Sequence, residues 1–100
     1  MLVLEDKSGT ERLVLDGQWV LKLRGGNELG RFLARDFRHV SISRRHRRKW
    51  VLFGAKRPYW RILMHIDQGV MILSVADERR AEIDAFFAAV EHAKSGTAAF

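Results

Sequence analysis

The chain has no cysteine, one proline and one tyrosine, and between Arg38 and Arg61 it has no aspartate or glutamate. Without cysteine, structural disulfides, thiolate metal sites and thiol nucleophiles are excluded; this fits a reducing compartment and makes the cytoplasm the expected location. Apolar runs are short, as in Trp50-Val51-Leu52-Phe53 and Val70-Met71-Ile72-Leu73. A bilayer-spanning helix needs roughly 20 such residues, so no transmembrane segment is expected. The opening Met1-Leu2-Val3-Leu4-Glu5-Asp6-Lys7 lacks the basic region and small-residue cleavage site of a secretory leader and reads as folded domain.

What the acid-free stretch does hold is nine cations: Arg38, Arg44, Arg45, Arg47, Arg48, Lys49, Lys56, Arg57 and Arg61. The other residues carry nine Lys or Arg against twelve Asp or Glu, so the formal net charge of +6 is located here. Clustered positive charge attracts polyanions such as nucleic acid, an anionic bilayer or an acidic protein patch, and that attraction falls steeply with salt. With 100 residues, 47% of them hydrophobic, the chain reads as one domain with one core. It is expected to span residues 1–94, followed by a flexible tail at 95–100.

The first three quarters follow a period near two, the pattern of strands. Leu2 to Glu5 and Arg12 to Leu15 are the first two. Asp16-Gly17 then marks a hairpin, expected as a type I′ turn with positive φ at both central positions. In the strand Gln18 to Arg24, residues Trp19, Leu21 and Leu23 alternate with Val20, Lys22 and Arg24. Residues 28–37 are ambiguous: Leu29, Phe32, Leu33 and Phe37 have helical spacing, but Gly30 and the residues that follow favour extended or irregular chain. His39 to Ser43 is a strand with Val40 and Ile42 inward. Trp50 to Phe53, Tyr59 to Ile66 and Val70 to Val75 complete the set, with Pro58 able to open a strand because its missing N–H costs nothing there. In Tyr59 to Ile66, residues Trp60, Ile62, Met64 and Ile66 share one face, and Tyr59, Arg61, Leu63 and His65 share the other.

After Asp77, a candidate N-cap, the period changes. Ile83, Phe86, Phe87, Val90 and Ala93 form the stripe of an amphipathic helix that Gly96 is expected to stop. The fold class is therefore α+β, mostly β: a seven-stranded bent antiparallel sheet or partly open barrel, capped by one C-terminal helix.

That order of elements resembles the bacterial pleckstrin-homology-like (PH-like) domains. Phe32-Leu33-Ala34-Arg35-Asp36-Phe37-Arg38-His39-Val40-Ser41-Ile42 looks like the family segment in which an Asp and an apolar residue introduce the fourth strand. Ile72 to Ile83, continued by Phe86, Phe87 and Val90, looks like the family's last strand entering its helix. The resemblance implies a non-enzymatic scaffold that binds lipids, peptides or other protein domains. Its phosphoinositide-binding members carry a basic motif in the loop between the first two strands. Here that loop, Asp6-Lys7-Ser8-Gly9-Thr10-Glu11, has one lysine between acids, so inositide recognition is not expected.

The candidate site is a basic surface formed by Arg44, Arg45, Arg47, Arg48, Lys49, Lys56, Arg57 and Arg61, with Tyr59 as its surface aromatic. Its expected partner is an acidic protein surface or anionic lipid headgroups. Nucleic acid is the alternative, with Tyr59 stacking on bases beside phosphate contacts. A third reading is a structural or oligomerising domain, a homo-oligomer pairing through an exposed strand, whose charge only keeps it soluble. Trp60 is in phase with Ile62, Met64 and Ile66, which assigns it to the core. His39, His46, His65 and His92 lie on separate elements without short ligand spacing, so no metal is expected. Gly25-Gly26-Asn27-Glu28-Leu29-Gly30 has neither dinucleotide nor P-loop spacing. No nucleophile elbow or carboxylate pair suggests catalysis, and no cofactor is implied.

Overall fold

Two antiparallel sheets and one helix make up residues 1–45 and 58–98, the part of the chain that this computed structural model describes. The first sheet holds β1 (Leu2–Glu5), β2 (Glu11–Asp16), β3 (Trp19–Arg24) and β4 (Asn27–Leu33) in chain order. A 3₁₀ turn, Ala34–Asp36, leads into the second sheet of β5 (Phe37–Arg45), β6 (Tyr59–Ile66) and β7 (Gly69–Ala76). A second 3₁₀ turn, Asp77–Arg79, precedes α1 (Arg80–Ala98). No helix among the described residues is long and apolar enough to cross a membrane. The expected strand Trp50 to Phe53 and the candidate residues Arg47, Arg48, Lys49, Lys56 and Arg57 lie outside the described residues.

The mostly β arrangement with a C-terminal helix agrees with the sequence, but the expected single sheet or partial barrel does not form. Buried Ala34 sits in the turn between β4 and β5, and no strand ladder links the two. On the opposite side, contact between β7 and the first sheet's half of the chain is made point by point. The Lys7 amide donates to the Ser74 carbonyl at 2.7 Å, and Lys22 Nζ donates to the Ile72 carbonyl at 2.7 Å. The sheets are stitched together without being closed into a barrel.

Strand patterning explains most of the core. Leu4, Leu13, Leu15, Val20 and Phe32 face inward from the first sheet, and Ile62, Met64, Leu73 and Val75 from the second. On β3 the more polar set is the inner one: Val20 is fully buried and stands opposite Leu15 and Phe32, while Trp19 is 41% exposed. The outer set, Trp19, Leu21 and Leu23, is held by cross-strand neighbours, including Arg31, whose guanidinium lies 5.5 Å from the Trp19 ring. The ambiguous stretch is strand as far as Leu33, the end of β4, and then turns through Ala34–Asp36 into β5. An extra residue, Leu29, is inserted where the register shifts between Lys22 and Leu23; this bulge broke the period of two and imitated helical spacing.

The β2–β3 hairpin differs from the expected turn. Asp16 pairs with Trp19, so Gly17 and Gln18 are the central residues, and of these Gly17 alone has positive φ, at 61°. That is the pattern of a type II′ turn, which needs glycine at its first central position.

The helix stripe is as the sequence implies: Ile83, Phe86, Phe87 and Val90 are buried, and Ala93 packs against them. Phe87 stacks on Phe37 at 6.0 Å and meets Phe86 edge-on at 5.3 Å, offset geometries that aromatic pairs favour. The helix packs against the Ala34–Asp36 turn, β1 and β5. Its ends differ from expectation. Asp77 is not an N-cap but part of the 3₁₀ turn, where its carboxylate binds Arg44. The helix also runs through Gly96 to Ala98, because one glycine weakens a helix by only about 1 kcal/mol.

Candidate functional site

The register of β5, β6 and β7 sorts the second sheet into rows. On the inner face lie Arg44-Trp60-Val75, Ile42-Ile62-Leu73 and Val40-Met64-Met71. On the outer face, from the start of β6 to its end, lie Arg45-Tyr59-Ala76, Ser43-Arg61-Ser74, Ser41-Leu63-Ile72 and His39-His65-Val70. Successive rows on one face are about 7 Å apart, and directly opposed residues are about 5 Å apart.

This geometry divides the described cations of the acid-free stretch. Arg38 forms an ion pair with Asp67 in the β6–β7 turn. Arg44, on the inner face, makes two 3.1 Å hydrogen bonds to the Asp77 carboxylate. Arg45 and Arg61 point to the outer face, where neither has an ion-pair partner among the described residues. Two of the four described cations are therefore neutralised by acids that the sequence places 29 and 33 positions away.

Tyr59 and Trp60 behave as their phases imply. Trp60 packs against the core, and its indole N–H donates to the Asp77 carbonyl at 3.1 Å, with the Arg80 guanidinium 4.6 Å over its ring. Tyr59 lies on the outer face, half-buried, with the Lys7 ammonium 4.2 Å from its ring centre. A concavity of about 230 Å³ opens here, lined by Lys7, Pro58, Tyr59, Ala76, Asp77 and Glu78. It is fixed from below by the Lys7 amide on Ser74 and from the side by the Arg44 hold on Asp77.

The chain matches no protein-family model, no curated protein and no solved structure.

Three contributors were missed by sequence reasoning. Lys7 lies in a turn whose packing on β7 no local pattern announces. Ser43 and Ser74 flank Arg61 on both sides; the sequence marks Ser43 only as an outward residue of its strand and Ser74 only as a member of the last one. Register also joins His39 and His65, whose rings stack at 4.1 Å with 12° between their planes. Among the described residues no three His, Asp or Glu converge in a way that could hold a metal ion.

Proposed function

We propose that this chain is a non-catalytic, PH-like binding module that uses the outer face of β5, β6 and β7 to engage an acidic partner, either a protein surface or anionic lipid headgroups. The observation that carries this reading is the placement of Arg45 and Arg61 on one face, Arg45 in the Tyr59 row and Arg61 in the row beside it, without an ion-pair partner among the described residues. Like charges set close together repel, and an acidic partner relieves that repulsion. Support for a PH-like scaffold comes from the order of four strands, three strands and a C-terminal helix packed on the turn between the sheets. The absence of cysteine is compatible with work in the reducing cytoplasm.

The nucleic-acid alternative is less favoured because Lys7 already covers a face of the Tyr59 ring, leaving less of it for base stacking. The reading is tested by measuring binding of the full chain to phosphatidylserine-containing vesicles and to polyglutamate across a salt titration. Salt-sensitive binding that weakens in an Arg45→Met/Arg61→Met variant is expected. Absence of binding to both at low ionic strength overturns it.

A further inference from the structure

The cations around Tyr59 are more numerous, and more varied in their donors, than a carboxylate partner requires. Arg45 stands directly across from Tyr59, and Arg61 is the next residue along on the same face of β6. Lys7 reaches the ring from the opposite side, anchored by its own amide on Ser74. Arg61 is bracketed by Ser43 on β5 and Ser74 on β7. Among the described residues neither serine hydroxyl has a hydrogen-bond partner. Three cationic groups and two hydroxyl donors thus fall within a patch about 10 Å across. One arginine in bidentate geometry already satisfies a carboxylate, whereas a phosphate group brings three strong acceptor oxygens and close to two negative charges.

We propose that this face is a binding site for a phosphate monoester group, held between Arg45 and Arg61, with the Ser43 and Ser74 hydroxyls and the Lys7 ammonium as its further donors. The site rests on the acidic-partner reading and narrows it to one chemistry. Glu78, exposed on the rim of the same concavity, opposes an anion on that side, while Asp77 is occupied by Arg44. The phosphate therefore sits toward Arg61, away from Glu78. This site differs in make-up from one that depends on a run of cations in the β1–β2 loop, since that loop supplies Lys7 alone and the strands supply the rest.

The experiment is an amide-shift titration of the full chain with inorganic phosphate and with O-phosphoserine at constant ionic strength, with acetate as control. Saturable shifts centred on Lys7, Ser43, Tyr59, Arg61 and Ser74 are expected, with half-saturation in the millimolar range. Arg61→Met should weaken them about tenfold, the Ser43→Ala/Ser74→Ala pair several-fold, and Glu78→Gln should strengthen them about twofold. These residues lie at the surface or are half-buried, and retained spectral dispersion verifies that each variant is folded.

A second arm compares vesicles containing phosphatidic acid with the soluble esters: Arg61-dependent vesicle binding names a lipid headgroup as the source, and response to the soluble esters alone names a free phosphate compound. No saturable shift up to about 50 mM, an equal response to acetate, or shifts unchanged in Arg61→Met overturns the site. If polyglutamate binding survives such a result, only the phosphate assignment falls. If binding to polyglutamate and to phosphatidylserine vesicles is lost as well, the acidic-partner reading falls with it.

Discussion

Arg44 holds Asp77 through two parallel hydrogen bonds, Nε to Oδ1 and Nη2 to Oδ2, each 3.1 Å long. The pair ties the end of β5 to the segment that leads into α1, with the Arg44 guanidinium 6.0 Å from the Trp60 ring centre. Asp77 serves this junction twice, because its backbone carbonyl also accepts the Trp60 indole N–H. An aspartate at a helix entrance commonly caps the helix; here it is an anchor between sheet and helix.

Both partners are part-exposed, so a double-mutant cycle with Arg44→Met and Asp77→Asn should return a coupling of about 0.5–1 kcal/mol. Urea denaturation at low and high salt measures it. The coupling should shrink as salt rises, and a value indistinguishable from zero at low salt would show that the geometry contributes nothing.

The same pairing predicts unequal contributions from neighbouring arginines. Arg38 and Arg44 have carboxylate partners, whereas Arg45 and Arg61 have none among the described residues. In a salt titration of polyanion binding, Arg45→Met and Arg61→Met should each lower the slope by about one, while Arg38→Met and Arg44→Met should change it much less. Equal effects at all four positions would mean that the ion pairs do not withdraw charge from the surface.

Acid should act through Glu11. Its carboxyl is held below the ordinary glutamate range chiefly by the hydrogen bond from Arg24; burial opposes this, and the charges of Lys22 and Arg24 add to the lowering. A group whose pKa is lower folded than unfolded binds fewer protons in the folded state, so its contribution is present above the unfolded value and lost as pH falls through the folded one. Wild-type stability should therefore drop as pH falls below about 4.5, and Glu11→Gln should flatten part of that drop. Urea midpoints between pH 6 and 3 decide the matter.

Phe37 joins β5, the Ala34–Asp36 turn and α1. It is 1% exposed, stacks on Phe87, and its carbonyl accepts the Lys94 ammonium at 2.7 Å. Phe37→Ala should cost about 3–5 kcal/mol, the range for emptying an aromatic site in a packed core. Trp19→Ala, on the outer face, should cost markedly less, and chemical denaturation of both variants gives the comparison.

Sequence periodicity recovers what depends on alternation. The two faces of Tyr59 to Ile66 emerge as read, as do the inward Val40 and Ile42 and the helix stripe from Ile83 to Val90. It fails where an inserted residue or a distant partner intervenes. Leu29 breaks the alternation of β4, and an inserted Arg38 does the same where β5 begins, between Phe37 and His39. Counting charges along Arg38 to Arg61 could not anticipate Asp67 and Asp77, because neither is a neighbour until the strands pair. Nor could alternation on β3 decide which face turns inward: the apolar side chains of Trp19, Leu21 and Leu23 outnumber Val20, yet Val20 stands opposite Leu15 and Phe32.

The two point contacts made by Lys22 and Lys7 have a consequence for the rim of the second sheet. Among the described residues β7 pairs with β6 on one side only, and the carbonyls of Ile72 and Ser74 are taken by a lysine side chain and a loop amide. Among the described residues neither contact extends into a strand ladder, so two acceptors along this edge are occupied with no strand paired beside them. The gap that keeps this fold from closing into a barrel is thus also a place where a lysine side chain and a loop amide obstruct part of a sheet edge. Lys22→Met, which leaves the Ile72 acceptor bare, is the change that would expose it.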